Sequence, residues 1–435
     1  MKTLQTVALL TLSTLIAAHA ENWPQWRGPS LNGTSPEKGL PTTWTRETVK
    51  WAAPMPGPSG ASPIVWGDTV FVTSPDEEKN LVLIALNRKD GAVLWKKQVG
   101  TGDISKGRAN MASPSPVTDG KAVYVLFGTG DLAAIDFKGS LLWKRNLSEE
   151  YGRFAYMWLY GSSPLLFNGK LYLQVLQRNP VPPDYPGQSG GDAARESYLL
   201  CVDPATGKNI WKVTRPTDAL NESQESFGTP VPYIGKDGKA QLLVVGGDCL
   251  SAHDPATGAE LWRGFGLNPT KRGDMRTVPS PVGVDGLAIA AGPKKGPLLA
   301  FRTDMKGDIS NTGVAWRFEE KKTPDVCTPV YYNGKLFVLD GDSHTLTALD
   351  PKTGEKKWQG EIPTRAVVRS SPVAADGKLY FIDEKNNVII VGAGDQFEVL
   401  GNIPMGDSEG TRATIAISNG DLFIRTPQAV YCVGK

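Results

Sequence analysis

The stretch Asp350-Pro351-Lys352-Thr353-Gly354-Glu355-Lys356-Lys357-Trp358 decides the fold, because the same pattern recurs along the chain. Its aspartate can accept hydrogen bonds from the backbone that follows, its proline fixes φ, and its glycine can adopt the left-handed conformation. We therefore expect a tight turn that leads into a strand carrying the tryptophan. The turn returns at Asp203–Gly207 before Trp211 and at Asp254–Gly258 before Trp262.

The residues before this turn complete a unit of four short strands. Apolar runs at Pro329–Tyr332, Lys335–Leu339 and Thr345–Leu349 precede the strand of Trp358. The first two runs are joined by Asn333-Gly334, a hairpin signal that recurs at separations of 43 to 69 residues, close to the roughly 40–50 residues of a propeller blade. The eight copies are Gly67-Asp68, Asp119-Gly120, Asn168-Gly169, Asp237-Gly238, Asp285-Gly286, Asn333-Gly334, Asp376-Gly377 and Asn419-Gly420. The sequence predicts an all-β fold, an eight-bladed β-propeller of four-stranded antiparallel blades.

Tryptophan occupies one position on the fourth, outer strand of six units, where we expect the ring to pack between neighbouring blades. These residues are Trp95, Trp143, Trp211, Trp262, Trp316 and Trp358. In unit seven we expect Leu400 at this position. Unit eight supplies three strands before Lys435, and Val49-Lys50-Trp51 is expected to supply the fourth and so close the ring. This predicts a single propeller over residues 44–435 with an N-terminal extension, residues 21–43, packed on it.

Composition and the N-terminus restrict the function. With 47 Lys and Arg against 45 Asp and Glu, the net charge is +2, and no basic block is present, which argues against a nucleic-acid partner. Lys2, the largely apolar run Val7–Ala18 and the small residues before Glu21 predict a signal peptide over residues 1–20. No later run reaches the length of a transmembrane segment, and no cysteine lies near the cleavage point. We expect a soluble monomer, periplasmic or secreted, without a lipid anchor.

The chain has few residues for metal or redox chemistry. Its four cysteines, Cys201, Cys249, Cys327 and Cys432, are widely separated, and we favour buried small residues over a disulfide while leaving the disulfide open. After removal of the signal peptide, His253 and His344 are the remaining histidines, so no metal site is predicted.

The units also share an opening and an ending that resemble a known repeat. Ser-Pro or Thr-Pro opens the inner strands at Ser163, Thr229, Ser280, Thr328 and Ser371, and the D-x-x-T-G-x-x-x-W ending is described above. This unit resembles the pyrroloquinoline quinone repeat of the eight-bladed group that contains quinoprotein alcohol dehydrogenases and the outer-membrane assembly protein BamB. The start, Trp23-Pro24-Gln25-Trp26-Arg27-Gly28-Pro29, is similar to that of many exported bacterial proteins of this kind.

The resemblance implies a quinone cofactor with calcium only if the chain is a dehydrogenase. Dehydrogenases of this family often carry an adjacent pair of cysteines over the cofactor and a Glu-Asn-Asp set for calcium and catalysis. This sequence has no adjacent cysteines, and the calcium set cannot be assigned to its positions. No cofactor is therefore predicted, and pyrroloquinoline quinone with calcium belongs to the alternative function alone.

Candidate ligand-binding residues lie in the blade-to-blade loops just before the inner strands, where the mouth of the central channel is expected. They are Arg108, Trp158, Tyr160, Arg276, Arg369 and Arg412. Guanidinium groups suit carboxylate, phosphate or sulfate groups, and the aromatic rings offer stacking surface. A structural alternative stays open, in which each arginine is paired locally with Glu225, Asp274, Asp325 or Glu409.

These observations favour a non-catalytic binding or scaffold protein of the cell envelope. It would use the loop face and the channel mouth to hold a peptide, a protein segment or an anionic small molecule. The alternative is a pyrroloquinoline-quinone-dependent alcohol or sugar oxidoreductase, in which the arginines would bind the carboxylates of the quinone.

Overall fold

Short hairpins with glycine turns build the blades. The computed structural model describes residues 22–107, 109–186, 195–406 and 410–434, so the predicted signal peptide lies outside the described residues. At Asn333 and Gly334 φ is 48° and 75°, and at Asn419 and Gly420 it is 52° and 78°. Two consecutive residues with positive φ form the turn whose twist matches that of the strands it joins. This local chemistry explains why the turns could be recognised in the sequence.

Within the described ranges, eight sheets, each with four antiparallel strands, surround one axis, which confirms the predicted eight-bladed propeller. One sheet has a fifth strand, which pairs parallel. From the inner to the outer strand, blade 1 has Ile64–Trp66, Thr69–Pro75, Asn80–Asn87 and Val93–Thr101; blade 2 has Val117–Thr118, Ala122–Leu126, Asp131–Asp136 and Leu141–Asn146; blade 3 has Leu165–Phe167, Lys170–Val175, Tyr198–Val202 and Asn209–Thr214; blade 4 has Val231–Ile234, Ala240–Gly246, Cys249–His253 and Glu260–Phe265.

The remaining blades have the same order. Blade 5 has Val282–Val284, Leu287–Ala291, Leu298–Arg302 and Val314–Phe318; blade 6 has Val330–Tyr332, Lys335–Asp340, Thr345–Leu349 and Lys356–Glu361; blade 7 has Val373–Ala375, Lys378–Ile382, Asn387–Gly392 and Val399–Pro404; blade 8 has Ala416–Ser418, Asp421–Arg425, Ala429–Val433 and Trp51–Pro54. Outside the blades, the short elements are the strands Ser105–Lys106, Ala109–Asn110 and Gly307–Asp308, the helix Leu147–Tyr151 and the 3₁₀ turns Arg46–Thr48 and Asn221–Gln224.

The ring is closed by an N-terminal strand, as predicted. Trp51–Pro54 pairs antiparallel with Ala429–Val433, the third strand of blade 8, with Trp51 opposite Cys432. An ion pair of 2.7 Å between Lys50 Nζ and Asp421 Oδ1 lies beside this pairing. Because the strand comes from the opposite end of the chain, unfolding of blade 8 requires the two ends to separate.

The outer-strand tryptophans join each blade to the next. Trp316 of blade 5 donates its indole N–H to Pro351 O of blade 6 at 3.0 Å, and a Cβ on Gly354 would lie 2.6 Å from the same ring. The glycine therefore gives the left-handed turn and also leaves room for the tryptophan of the preceding blade. Equivalent indole N–H bonds to backbone carbonyls are made by Trp51, Trp95, Trp143, Trp211 and Trp358.

Blade 4 forms this joint differently. Trp262 is fully buried and donates to Gln241 Oε1 at 3.0 Å, and Gln241 donates onward to Thr303 O of blade 5 at 2.9 Å. The third-to-fourth connection of blade 5 is longer than in the other blades, and its segment Gly307–Asp308 pairs parallel with the outer strand of blade 4. A glutamine side chain thus bridges the distance that a tight turn spans elsewhere.

Blade 7 corrects one expectation. Gly401, not Leu400, occupies the tryptophan position, because Gly401 pairs with Ile390 where Trp358 of blade 6 pairs with Ala348. Leu400 is the bulged residue beside it. A Cβ on Gly401 would lie 2.7 Å from Thr42 O, so the N-terminal segment passes through the space that a side chain would need there.

The N-terminal segment also lies across the end of the channel opposite the loop face. Trp23 forms a backbone bridge with Val65 of blade 1. Arg27 is buried and donates to Pro372 O at 3.0 Å and to Pro329 O at 3.3 Å, two carbonyls next to the inner strands of blades 7 and 6. The segment therefore contacts blades on different sides of the ring.

The four cysteines are all buried and unpaired, so the structure favours small buried residues over a disulfide. Among the described residues, none of the helices has the length and apolar character needed to cross a membrane.

Candidate functional site

A ring of hydroxyl groups surrounds the channel at the start of the inner strands. In the described chain, seven backbone N–H groups at this level each donate to the serine or threonine oxygen of the next blade at 2.8–3.1 Å. The donors, in order, are Ser62, Ser115, Ser163, Thr229, Ser280, Thr328 and Thr414. The Ser-Pro and Thr-Pro openings of the repeat are therefore the contacts that fix the diameter of the channel.

A pocket of about 330 Å³ occupies the channel above this ring. Five of these donors and Ser371, which accepts from Thr328, line it. Trp26 of the N-terminal segment lines its inner end, where its indole N–H donates to Thr414 Oγ1 at 3.0 Å. Because the N-terminal segment lies across the channel at that end, a ligand reaches the pocket from the loop face.

The wall of the pocket has an apolar side and a basic side. Trp158 and Phe227 precede the inner strands of blades 3 and 4, whereas Arg369 and Arg412 precede those of blades 7 and 8. In a ring of eight blades, blades 3 and 7 face each other, as do blades 4 and 8. Arg276, before blade 5, adds a third guanidinium group. The pocket can therefore contact an apolar group on one side and a charged or strongly polar group on the other.

The three arginines that line the pocket, Arg276, Arg369 and Arg412, are each paired with at least one carboxylate. They therefore line the pocket and are also paired locally. Arg276 lies 3.0 Å from Asp325 and 3.5 Å from Glu222. Arg369 makes a bidentate contact with Asp342, at 2.9 and 2.8 Å, and lies 3.6 Å from Asp325.

The remaining pair joins Arg412 Nε to Glu384 Oε1 at 3.0 Å. Of the partners expected from the sequence, Asp325 pairs with pocket arginines, Asp274 pairs with Arg272 and Lys294, and Glu409 lies outside the described residues. Asp342 and Glu384 were missed. Both follow the second strand of their blades, which places them on the same face as the arginines. This shared position could have identified them as partners from the sequence.

The predicted site residues are only partly brought together. Trp158, Arg276, Arg369 and Arg412 line the same pocket, whereas Arg108 lies outside the described residues. Tyr160 was wrongly expected at this surface: it is 1% exposed, and its hydroxyl donates to Gln174 O at 2.9 Å. The intervening Leu159 has φ of 64°, which turns the backbone and places Tyr160 in the aromatic cluster behind the wall.

A short acidic segment supports the apolar side of the pocket. The sequence indicated Glu225 as a possible partner of the arginines, but in the described residues it forms no ion pair with Arg276, Arg369 or Arg412, and its role in this support was missed, as was Glu222. Trp158 donates its indole N–H to Glu222 Oε1 at 3.0 Å, and Met157 donates its backbone N–H to Glu225 Oε2 at 2.9 Å. The Tyr185 hydroxyl donates to the other oxygen of Glu225. Glu225 is fully buried, and this burial raises its pKa to about 7. The carboxyl group can thus change its charge near neutral pH.

The chain is similar to known proteins over most of its length. The family model described as outer membrane protein assembly factor BamB matches residues 43–157 and 195–396, which is more than half of the chain. The chain belongs to this family. The BamB family assignment agrees with the repeated turns, the outer-strand tryptophans and the closed ring of blades.

Individual relatives are more distant. A tetrathionate hydrolase of Acidithiobacillus ferrooxidans is 22% identical over 397 residues, covering 82% of this chain and 74% of that protein. BamB from Moraxella catarrhalis superposes with a TM-score of 0.60 at 15% identity, covering 88% of this chain and 99% of that one. A quinohemoprotein alcohol dehydrogenase from Comamonas testosteroni superposes with a TM-score of 0.65 at 13% identity, covering 95% and 80%. At these identities the structural matches concern the fold alone.

Proposed function

We propose that this protein is an exported, non-catalytic binding protein of the cell envelope. It holds a peptide, a protein segment or an anionic small molecule at the loop face, with part of the ligand inserted in the central pocket. The observation that carries this proposal is the pocket itself, which faces the loops and has Trp158 and Arg369 on opposite sides. Membership of the BamB family supports a protein partner in general terms.

The pairing of the arginines favours a peptide or protein segment among these ligands. Around the mouth, the described guanidinium groups of Arg276, Arg369 and Arg412 face the carboxylates of four acidic residues. These are Glu222, Asp325, Asp342 and Glu384. A polypeptide offers carbonyl groups, N–H groups and side chains of both charges, so it can bond to such a mixed rim without leaving a buried charge unpaired.

An anionic small molecule is the second candidate, and the name of one relative favours it. Tetrathionate, the compound named for the relative from Acidithiobacillus ferrooxidans, is a dianion. Guanidinium groups bind such oxygen-rich anions well. To bind here, the anion would have to compete with Asp342 for Arg369, or approach the donors that the ion pair leaves exposed.

Quinone-dependent oxidation remains the enzymatic alternative, with limited support from the residues. Among the described residues, no group of three or more His, Cys, Asp or Glu side chains is arranged to hold a metal ion. The four cysteines are unpaired. The residues therefore do not supply the disulfide that the quinoprotein resemblance implies, and because the Glu-Asn-Asp calcium set is not assigned to positions of this chain, we derive no reaction step through a quinone.

The binding proposal is tested with the purified protein and two pocket variants. Proteins retained from an envelope extract are identified, purified and titrated against the wild type, Trp158→Ala and Arg369→Ala, with tetrathionate titrated in parallel. Arg302 is exposed and lies outside the pocket, so Arg302→Ala is the matched control. We expect each pocket variant to weaken binding about tenfold or more and the control to leave it unchanged.

Two results would overturn the proposal. One is an affinity that is equal in the wild type and both pocket variants, for every partner and for tetrathionate. The other is dye reduction with alcohols or sugars by protein mixed with calcium and pyrroloquinoline quinone, which would favour the oxidoreductase instead.

A further inference from the structure

Glu225 lies directly behind the apolar side of the pocket and connects three loop segments. Its carboxylate accepts the backbone N–H of Met157 at 2.9 Å and the hydroxyl of Tyr185, and its backbone carbonyl accepts the N–H of Thr277 at 3.0 Å. The first contact is adjacent to Trp158. The position of the Trp158 ring therefore depends on a carboxyl group that has no exposed surface.

The surroundings of Glu225 provide few charges to balance its own. Glu222 on the same segment, Tyr185 on the neighbouring loop and Tyr156 beside the pocket wall face it. Arg178 is nearby, but its Nη2 donates to Asn221 Oδ1 at 2.7 Å. Across the segment, Arg276 faces Glu222. No salt bridge to Glu225 is formed by the part of the chain that the structure describes, so burial dominates its electrostatics.

Both oxygens of Glu225 face hydrogen-bond donors, which suits an ionised carboxylate. Both oxygens accept, one from a backbone N–H and the other from a hydroxyl, and charge-assisted bonds of this kind are stronger than neutral ones. A protonated carboxyl group can instead donate to the hydroxyl oxygen of Tyr185, and the bond that it accepts from the Met157 N–H then loses its charge assistance and weakens.

The loop held by these bonds is also strained. Leu159 has φ of 64°, a left-handed conformation that is uncommon for leucine and persists only when surrounding contacts enforce it. The backbone bond from Met157 to Glu225 and the indole bond from Trp158 to Glu222 are two such contacts. Weakening of the first allows the loop to relax.

We propose that Glu225 is a proton-sensitive positioning residue, whose ionised form holds Trp158 at the pocket wall and whose protonation weakens the hold on the Met157–Leu159 loop. The conformational step concerns the unliganded protein, and its effect on ligand affinity rests on the proposed binding function. As pH falls through about 7, the apolar side of the pocket becomes less well ordered, and a ligand that packs on Trp158 binds more weakly.

Protonation of Glu225 affects the stability of the fold in the opposite direction. Since the pKa of Glu225 is raised in the folded protein, the folded state binds this proton more readily than the unfolded chain does. The contribution of this group to folding stability is therefore greatest at acid pH, below the ordinary glutamate pKa, and declines as pH rises through about 7. An ordered pocket wall is thus obtained at some expense of stability.

The experiment follows Trp158 directly and requires no ligand. The protein is labelled with 5-fluorotryptophan, and the ¹⁹F resonance of Trp158 is assigned by its absence in Trp158→Phe. We expect this resonance to shift between ~pH 5 and ~pH 9 with a midpoint near 7. In Glu225→Gln the shift should disappear, and in Tyr185→Phe the midpoint should rise because a bond that favours the ionised form is lost.

A matched control and an internal measure of folding complete the design. Asp248→Asn removes another buried carboxyl group with a raised pKa, about 6, outside the Glu225 contacts, and should leave the Trp158 titration unchanged. The resonance of buried Trp262 reports whether each variant is folded. If Glu225→Gln does not fold, the titration midpoint of Tyr185→Phe tests the proposal instead: a higher midpoint supports it, and an unchanged midpoint overturns it.

The proposal is overturned if the Trp158 resonance does not move in the wild type, or if it still titrates in Glu225→Gln. It is also overturned if Asp248→Asn abolishes the titration. Because none of these measurements uses a ligand, failure of the binding proposal and failure of the positioning role are distinguished.

Discussion

The outer strands and the loop face both carry side chains at equivalent positions of successive blades, but the two regions use them differently. On the outer strands, the same residue type makes the same contact, as when Trp95 and Trp316 each donate to a carbonyl of the following blade. Before the inner strands, the residues differ from blade to blade. They include Trp158, Phe227, Arg276, Val326, Arg369 and Arg412.

This difference separates the scaffold from the site. A contact that is repeated around the ring contributes stability in each blade and carries no ligand preference. A position that changes from aromatic to basic around the same ring creates a pocket with distinct sides, as Trp158 and Arg369 do. We therefore expect substitutions on the outer strands to change stability and substitutions at the mouth to change binding.

The largest effect is expected from removal of the closing strand. Deleting residues 44–55 removes Trp51–Pro54 from blade 8 and exposes the edge of Ala429–Val433. An exposed apolar edge strand promotes aggregation, so we expect loss of the soluble monomer, measured by size-exclusion chromatography with light scattering.

The control replaces Arg46–Thr48, a 3₁₀ turn without buried residues, by Gly-Ser-Gly. This variant should remain monomeric. A soluble monomer with an unchanged melting curve after deletion of residues 44–55 would show that the N-terminal strand does not close the ring.

The sequence alone predicted the blades and their order, because the turns and strands that build them are specified by short local patterns. An Asp-Pro-x-Thr-Gly turn specifies its own backbone, and the tryptophan four residues after its glycine marks the outer strand. Blade 7 shows the limit of this reasoning. Thr42 occupies the space beside Gly401, although it is more than 350 residues away in the chain. The local sequence around Leu400 therefore could not predict this contact.

The site was less predictable for the same physical reason. Arg369 and Trp158 could be placed at the mouth because they immediately precede inner strands, whose positions the repeat determines. Tyr160 could not, because its direction depends on the left-handed backbone of Leu159. Glu225 lies in a connection that follows no repeat, and its burial depends on Tyr185 from another loop.

A substantial but smaller effect is expected from the outer-strand tryptophans, in proportion to their burial. Trp262→Ala removes a fully buried ring and leaves Gln241 without its indole partner, so we expect a cost of about 3–5 kcal/mol in the free energy of unfolding. Trp358 makes the same kind of interblade contact but is only partly buried, and Trp358→Ala should cost about half as much.

Equilibrium denaturation in urea measures both values, provided that fluorescence and circular dichroism report one transition. A cost below about 1 kcal/mol for Trp262→Ala would show that this ring contributes little to the contact between the blades. Equal costs for the two variants would mean that burial is not what distinguishes them.

The smallest effect on stability is expected at the mouth, from Trp158→Ala. The Trp158 side chain is 41% exposed, and the bond that it loses, to Glu222, lies at the surface, so the cost should be about 1 kcal/mol or less in the same urea assay. A cost as large as that of Trp262→Ala would mean that the mouth residue also supports the scaffold. Trp158 forms the apolar side of the pocket. Such a cost would therefore contradict the distinction between repeated positions, which stabilise the fold, and variable positions, which bind a ligand.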